Sequence, residues 1–374
     1  MVNTAGGGIA APHRFIALDS LRGIAAVFIV FFHMGAFGWI ASWPPFTVGW
    51  LLVDFFFVLS GFVIAASYGG RLAMGYPRGG FLLVRLGRVY PLHILTVAIF
   101  VALEFALFRP LLGEAHPYDE LFRGIFLLDA FVTGAGNFYA PVSWAVGVEM
   151  VLYGVAALLF GRGRLGVVLA ALLAFSSAWA LLAGFNEVGF GRLLQRGLLA
   201  FPLGVLAFWL HGRLASVSPG RGLLTLAELA LVAAFLWALY QPAPTAARIP
   251  ALALLYAAMV LVFARDGGLV ARALHWRPLV WLGQMSFALY MVHLFWIILP
   301  NRLLPKLFAA TGHADWIARG GKRFGLLSLD PPPAVATLIS LGLFAGALGT
   351  AWLAWRFVEE PTRHWTRRFA PPRA

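Results

Sequence analysis

The sequence predicts an all-α fold, a polytopic membrane helical bundle of about ten transmembrane helices with both termini in the cytoplasm. Three observations lead to this prediction. Apolar residues make up 61% of the 374 residues and charged residues only 11%, whereas a soluble domain carries roughly 25% charged residues. The apolar residues gather in runs long enough to cross a bilayer, and arginines concentrate in the breaks between these runs. A water-soluble enzyme, a disordered regulator and a coiled coil are therefore excluded.

Each predicted span is an apolar run of roughly 17–25 residues, the length that crosses about 30 Å of hydrocarbon. The runs lie near residues 15–37, 46–68, 91–108, 143–160, 165–184, 197–211, 223–240, 250–265, 279–299 and 334–357. A weaker run near 122–133 is interpreted as a lumenal or re-entrant segment. The first run is not a cleaved signal peptide, because it contains Asp19 and Arg22 and lacks a small-residue cleavage site.

The orientation follows from the 28 basic residues, which give the chain a net charge of +13. If the N-terminus is inside, more of the basic residues fall on the cytoplasmic side. Many of the other basic residues lie in one long outer loop, 301–333, and long loops weigh little in the positive-inside rule. The rule therefore favours a cytoplasmic N-terminus. The predicted parts are a cytoplasmic segment (1–14), one membrane domain (15–358) and a basic cytoplasmic tail (359–374). The predicted location is the inner membrane, with the lipid bilayer and no nucleic acid as partner.

The chain contains no cysteine. Disulfides, Cys-ligated zinc or iron–sulfur clusters and a thiol nucleophile are therefore excluded. No metal site is predicted. Any nucleophile or base must be another residue type, and histidine is the first candidate.

The first predicted helix carries three ionisable side chains, which in a bilayer are expected to face the bundle interior or a wet cavity. Asp19 and Arg22 are three residues apart, so they can pair on one face. Arg22 and His33 are eleven residues apart, so they share a face about 16 Å apart along the axis. A buried histidine that only bonds a neighbouring helix is the simpler explanation of His33. The shared face with Arg22 favours a functional role.

The second helix contains Asp54 in its outer half and the pair Ser60-Gly61 deeper in the membrane. Small residues such as Ser60 and Gly61 are typical of close helix packing. No G-x-S-x-G elbow surrounds Ser60, so a serine nucleophile is not expected. Asp54 has no comparable structural explanation and is a candidate for the site.

Arg85 and Arg88 end the next inside loop, in the sequence RLGRVYP, immediately before Pro91 opens the third helix. Charges that set the topology would explain this pair. A bidentate clamp on phosphates would explain it equally, because planar guanidinium groups suit phosphate better than lysine does. The two explanations are compatible, since a phosphate ligand would also come from the cytoplasm.

Two later helices carry polar residues on one face. Glu149 lies about two turns into the fourth helix, with Tyr153 one turn further on. Ser286, Tyr290 and His293 form a single polar stripe at i, i+4 and i+7 on the ninth helix. Hydrogen bonding between helices would account for the stripe alone.

Four of these groups lie on separate helices at depths between the two interfaces: His33, Asp54, Glu149 and His293. Convergent histidine and carboxylate groups indicate proton transfer in a cavity. A proton-coupled exporter would also contain such groups. The sequence shows no pair of Gly- or Pro-broken helices in matching halves, the pattern of inverted-repeat transporters.

These motifs resemble the acyltransferase-3 family of integral-membrane enzymes that O-acylate carbohydrates and, in some members, antibiotics. The resemblance runs from Leu18 to Pro361. The matching elements, in the family's order, are Arg22 with His33, Ser60-Gly61-Phe62, Arg85 with Arg88 before Tyr90-Pro91, Trp144 to Glu149, Gly283 to His293, and Glu360-Pro361. Ala145, Met150 and Phe287 depart from the usual residues, but none of them removes an acid, base or arginine.

The resemblance implies an O-acyltransferase whose donor is a cytoplasmic acyl-coenzyme A, most simply acetyl-CoA, with no tightly bound cofactor. Arg85 and Arg88 would bind the donor phosphates. His33 would be the catalytic base or a transient acyl carrier, and Arg22 would orient donor phosphate or set the local charge. The residues implied in acceptor binding or support are Asp19, Asp54, Ser60, Glu149, Tyr153, Ser286, Tyr290 and His293. The acceptor would be a sugar of a lipopolysaccharide, capsule, exopolysaccharide or glycolipid.

Overall fold

The computed structural model describes residues 15–35, 37–132, 136–184, 191–241, 247–323, 326–366 and 368. It confirms the predicted all-α polytopic bundle. Within these residues, eight helices are long and apolar enough to cross a membrane. Two shorter apolar helices, Ser143–Leu159 and Arg248–Phe263, account for the remaining predicted runs. The predicted segment 1–14 and most of the tail after residue 366 lie outside the described residues.

The first half of the chain forms helices separated by short turns. They are α1 (Ile16–Met34), α2 (Gly38–Ala41), α3 (Pro44–Thr47), α4 (Leu52–Ile64), α5 (Gly70–Ala73), α6 (Arg78–Leu103), α7 (Tyr118–Ile125), α8 (Ser143–Leu159) and α9 (Gly163–Leu182). Two π-helical stretches, Ala65–Gly69 and Glu104–Leu112, extend α4 and α6 without a break. Two 3₁₀ turns lie at Gly49–Leu51 and Leu128–Phe131.

The second half contains the remaining helices and one β-hairpin. They are α10 (Arg192–Arg213), α11 (Arg221–Tyr240), α12 (Arg248–Phe263), α13 (Leu269–Ala273), α14 (Arg277–Gln284), α15 (Ser286–Val292), α16 (Phe295–Ala310), β1 (Ile317–Arg323), β2 (Leu326–Leu329), α17 (Pro333–Ala354) and α18 (Glu360–Thr366). The strands pair antiparallel, with Arg323 opposite Leu326. A π-helical turn, Trp355–Glu359, joins α17 to α18.

Helix α1 occupies the centre of the bundle, where it packs against α4, α14 and α15. Its sequence is apolar apart from a few positions, and it ends where Gly35 adopts a left-handed conformation with φ 72°. We call the end of the bundle at which α1 begins the first face, and the opposite end the second face. Arg22 lies in the second turn of α1, towards the first face, and His33 lies in its last turn.

Three glycines allow the central helices to touch. A Cβ atom on Gly283 of α14 would lie 2.1 Å from the Asp19 carbonyl oxygen, and one on Gly23 would lie 2.7 Å from the Gly283 nitrogen. Likewise, a Cβ atom on Gly204 of α10 would lie 1.9 Å from the Val58 carbonyl oxygen. Small residues at such crossings let helix backbones approach closely in membrane bundles.

The prediction that Pro91 opens the third helix is wrong, because α6 begins at Arg78 and continues through Pro91. A membrane bundle tolerates an internal proline when neighbouring groups satisfy the freed backbone carbonyl. Arg85 and Arg88 are therefore helical residues inside the bundle and not loop residues in front of it. Both guanidinium groups therefore lie deeper in the protein than the sequence predicts.

The predicted ninth span, 279–299, is also not one helix. It is divided at Met285, which separates α14 from α15, whereas α15 and α16 follow each other as one apolar segment, Ser286–Ala310, through the helical residues His293 and Leu294. Helix α16 continues to Ala310, so the loop predicted at 301–333 is shorter than expected and contains the β-hairpin. The described part of the run near 122–133 belongs to the short helix α7 and a 3₁₀ turn and does not span the bundle.

Candidate active site

A cavity of about 100 Å³ lies between α1, α4, α6, α8 and the α14–α15 segment. Its polar lining consists of Arg22, Ser60, Arg85, Arg88, Glu149, Tyr153, Gln284, Ser286, Tyr290 and Glu359. The arginines outnumber the glutamates, so the cavity carries a net positive charge when all of them are ionised. The cavity brings together eight of the residues that the sequence predicts for the site, which are Arg22, Ser60, Arg85, Arg88, Glu149, Tyr153, Ser286 and Tyr290.

Arg22 ties α1 to the helices that face it across the cavity. Its Nη2 donates to the Gly283 carbonyl oxygen at 2.8 Å, and its Nε donates to Ser286 Oγ at 2.9 Å. The expected ion pair with Asp19 forms at 3.2 Å. The close contact of Gly23 with Gly283 makes this possible, because it places the Gly283 carbonyl within reach of the guanidinium group.

Arg85 and Arg88 project from neighbouring turns of α6. Arg85 is only 7% exposed, and its guanidinium carbon lies 4.7 Å from the centre of the Tyr153 ring. Its Nε is buried and has no hydrogen-bond partner among the described residues. A buried donor without a partner costs about 1–3 kcal/mol. Such a group, next to two further arginines, can bind an anion.

Ser60, Glu149 and Tyr153 form a hydrogen-bonded group on the opposite wall. Ser60 Oγ donates to Glu149 Oε1 at 3.2 Å, and the Tyr153 hydroxyl donates to the same oxygen. Glu149 and Tyr153 lie one turn apart on α8, so the helix itself positions this pair. A carboxylate with two hydroxyl donors can orient a polar ligand or exchange a proton with it.

His33 and His293 lie outside the cavity and contact each other. His33 Nδ1 is 3.2 Å from His293 Nε2, and the ring centroids are 4.9 Å apart. Tyr290 connects this pair to the cavity, since it lines the cavity and its ring lies 5.9 Å from the His293 ring. Tyr290 therefore contacts both the cavity and the histidine pair.

Asp54 does not join the other predicted acids and bases. It is 1% exposed and forms an ion pair with Arg196 of α10, whose Nε lies 2.9 Å and 3.2 Å from its two carboxylate oxygens. Arg196 also lies over the Trp50 ring and donates to the Trp50 carbonyl oxygen. The predicted convergence of His33, Asp54, Glu149 and His293 in one cavity is therefore wrong. Asp54 is held by the nearest buried cation.

Sequence reasoning missed two ionisable residues that matter here. The predicted cytoplasmic tail begins at Glu359, but this residue is 3% exposed and lines the cavity near Arg22 and Arg88. Arg196 was not considered, although an arginine within the apolar run LLQRGLLAF is a signal of a buried partner. Among the described residues, no cluster of three His, Asp or Glu side chains is placed to hold a metal ion.

Comparisons with known proteins add a family assignment to this geometry. A family model described as an acyltransferase domain matches residues 15–356. The chain is 39% identical over 147 residues to Protein 2 in picA locus of Rhizobium radiobacter, across 38% of this chain and 72% of that protein. It is 31% identical over 110 residues to Acyltransferase MdmB of Streptomyces mycarofaciens, across 29% of this chain and 27% of that protein. No solved structure matches the chain.

Proposed function

Because the chain belongs to the acyltransferase-3 family of membrane acyltransferases, we propose that it moves an acyl group from acyl-coenzyme A to a sugar hydroxyl. The donor is most simply acetyl-CoA, delivered from the cytoplasm. The acceptor is an extracytoplasmic sugar of a cell-surface glycan or glycolipid. The enzyme would act as a multi-pass protein of the inner membrane.

One observation carries this proposal, the buried Arg85 whose Nε has no partner among the described residues. It lies in a cavity that also contains Arg22 and Arg88. Arginine presents its donors in a planar fork that matches phosphate oxygens. A phosphate-bearing donor would satisfy the Arg85 Nε and balance the excess of positive charge. Coenzyme A carries such phosphates, and it is a cytoplasmic molecule.

The positions of the cavity and the histidine pair support a route across the membrane. Arg22 of the cavity lies in the second turn of α1, near the first face, which the arginine distribution favours as the cytoplasmic face. His33 lies in the last turn of α1, towards the second face. A donor whose phosphates rest on Arg85 and Arg88 would extend its thioester past Tyr290 towards His33. The acceptor would approach from the opposite side.

We propose that direct transfer takes two steps. The imidazole of His33 takes the proton of the acceptor hydroxyl, and the hydroxyl oxygen bonds to the thioester carbonyl carbon. The carbon–sulfur bond breaks, and coenzyme A leaves as a thiolate that takes the proton from His33. An acyl-histidine relay would use the same residue: the imidazole would bond to the thioester carbonyl carbon as coenzyme A leaves as a thiolate, and the hydroxyl oxygen would then displace the imidazole while its proton goes to the thiolate.

The remaining lining residues support binding on this account. Arg22 holds α1 against α14 and adds positive charge, with Asp19 as its ion-pair partner. Glu149, with Ser60 and Tyr153, would orient the donor or the acceptor within the cavity. Ser286 and Tyr290 would shape the passage to the histidines. An exporter, the alternative function, is disfavoured because the family match is to acyltransferases.

Mass spectrometry of surface glycans tests the proposal. A deletion strain of the source organism is complemented with the wild-type gene or with the His33→Ala or Arg88→Ala variant. The expected result is acylated glycan with the wild type and loss of the acyl group with either variant. Full acylation with His33→Ala would contradict the proposed catalysis. An exporter would instead change where the glycan accumulates and leave its acylation intact.

A further inference from the structure

We propose that the inner end of the cavity is the pocket for the acyl group of the donor, and that Phe56 sets the length of the acyl chain. The inner end is the part of the cavity lined by Val53, Phe56, Phe57, Ala145, Val146 and Tyr290. The inference rests on the proposed function and deepens it, because it takes the donor phosphates to lie on Arg85 and Arg88. It gives the enzyme a range of short acyl donors.

Contacts between α1 and α15 show which end of the cavity is nearer the histidines. Arg22 Nε donates to Ser286 Oγ at 2.9 Å, at the beginning of both helices. Later on α1, the ring of His33 meets the ring of His293, which follows α15. The two helices therefore run in the same direction. Tyr290 lies one turn after Ser286, so it is on the side of the cavity towards the histidine pair.

Helix α4 brings Phe56 to the same level as Tyr290. It runs opposite to α1, because the Phe62 ring near its end lies 5.1 Å from the Phe15 ring in front of α1. Phe56 therefore lies one turn nearer the histidines than Ser60 does. The Phe56 and Tyr290 rings face each other there, with 6.5 Å between their centroids.

Helix α8 begins at the inner end as well. The Tyr290 hydroxyl donates to the carbonyl oxygen of Val142, the residue immediately before α8. Ala145, in the first turn of α8, therefore lies one turn nearer the histidine pair than Glu149 does. The bond to Val142 also holds the Tyr290 ring in place across the cavity.

The cavity is therefore charged at one end and apolar at the other. The guanidinium carbon of Arg85 lies 4.7 Å from the centre of the Tyr153 ring, two turns along α8 from Ala145. The side chains of the inner end are uncharged, and all but Tyr290 are purely apolar. A donor whose thioester lies beside Tyr290 would place its acyl chain against Phe56. Burial of an apolar chain among apolar side chains is favourable.

The size of the inner end limits the acyl chain. The whole cavity measures about 100 Å³. Because an apolar cavity of about 150 Å³ holds one benzene ring, the inner end, which is only part of this cavity, has room for about two to four carbon atoms. The Tyr290 ring is fixed by its hydrogen bond. Phe56 is therefore the side chain whose size decides how far a chain can extend.

Competition among donors tests this role. Purified protein in lipid vesicles is given an equimolar mixture of acetyl-, butyryl- and hexanoyl-coenzyme A, with the unacylated glycan of the deletion strain as acceptor. Mass spectrometry of the product gives the proportion of each acyl group. This proportion reports the ratio of the kcat/KM values, so it does not depend on the amount of folded protein. For the wild type we expect mostly acetyl product and little hexanoyl product.

Substitutions at the inner end should change that proportion in opposite directions. Phe56→Ala should raise the ratio of butyryl to acetyl product about 10-fold or more, because one methylene in an apolar pocket changes discrimination by roughly 10- to 200-fold. Phe56→Leu should shift the ratio the same way, and it serves as the test if Phe56→Ala does not fold. Ala145→Leu fills the inner end and should lower the ratio.

The matched control is Phe55→Ala, at the neighbouring position of α4. Phe55 is 4% exposed and packs against the Tyr256 ring, and it does not line the cavity. Its loss removes as much buried side chain as Phe56→Ala does but should leave the ratio of products unchanged. A purely structural role of Phe56 would make the two variants alike, with less product and the same ratio.

The inference and the proposed function fail in distinguishable ways. An unchanged ratio in folded Phe56→Ala or Phe56→Leu, or a wild type that prefers the hexanoyl donor, would overturn the acyl pocket. The proposed function would survive either result if the wild type transfers an acyl group and His33→Ala does not. A wild type that transfers none of the three acyl groups would overturn the proposed function itself.

Discussion

Arg85 and Arg196 are both buried arginines, but among the described residues only Arg196 has hydrogen-bond acceptors for its Nε. Arg196 donates from Nε to both carboxylate oxygens of Asp54 and from Nη2 to the Trp50 carbonyl. Arg85 has an aromatic ring beneath it and a buried Nε with no partner among the described residues. Buried polar groups are ordinarily paired. Arg196 therefore stabilises the fold, whereas Arg85 is placed to bind a ligand.

The first prediction concerns Arg85. The Arg85→Gln variant should raise the KM for acetyl-CoA about 10-fold or more, because charge-assisted hydrogen bonds contribute roughly 1.5–3 kcal/mol. Steady-state kinetics of the purified protein measure this change. Arg272→Gln, at an exposed position of α13, is the matched control and should leave KM unaltered. An unchanged KM in Arg85→Gln would show that the donor does not bind in this cavity.

The second prediction concerns Asp54. Asp54→Asn should destabilise the protein by about 3–5 kcal/mol, because it leaves the buried charge of Arg196 without its counterion. Thermal unfolding in detergent measures the loss. The double variant Asp54→Leu with Arg196→Met should recover stability, since no buried charge remains. If Asp54→Asn instead kept full stability and abolished activity, Asp54 would belong to the site after all.

At the scale of elements, the site depends on how closely α1 and α14 touch. The third prediction is that Gly283→Ala lowers activity, because its Cβ would meet the Asp19 carbonyl oxygen at 2.1 Å and push α14 away from Arg22. The measurement is acyl transfer together with the amount of folded protein. Gly349→Ala is the control, since its Cβ would meet nothing within 4 Å. Equal activity of the two variants would show that the contact is not needed.

The elements also show what the sequence could predict. Apolar runs predict where helices lie, because only a hydrogen-bonded helix can carry that many apolar residues through lipid. They do not predict where a span is divided, such as the division between α14 and α15 at Met285. The predicted start of α6 at Pro91 is wrong, because a proline that would end a helix in water is tolerated inside a membrane bundle. The ion-pair partner of Asp54 could not be predicted, because Arg196 comes from a distant part of the chain.

At the scale of the whole molecule, Arg85, whose Nε has no partner within the described ranges, and the histidine pair lie towards opposite faces of one bundle. The arrangement has a functional meaning only if the first face is cytoplasmic. The absence of cysteine makes this directly testable, since a single introduced cysteine has no background. The fourth prediction is that Ala310→Cys reacts with a membrane-impermeant maleimide on intact cells. Ser218→Cys, between α10 and α11, should react only after permeabilisation. The reverse pattern would invert the proposed direction of transfer.

The central claim is that His33 performs the transfer, and one measurement tests it most directly. Purified protein in lipid vesicles is supplied with isotope-labelled acetyl-CoA and an acceptor glycan, and the initial rate of label transfer is compared for wild type and His33→Ala at equal amounts of folded protein. We expect a rate lower by about 10²–10⁴-fold in His33→Ala, the contribution of a general base. An equal rate in the two proteins would contradict it.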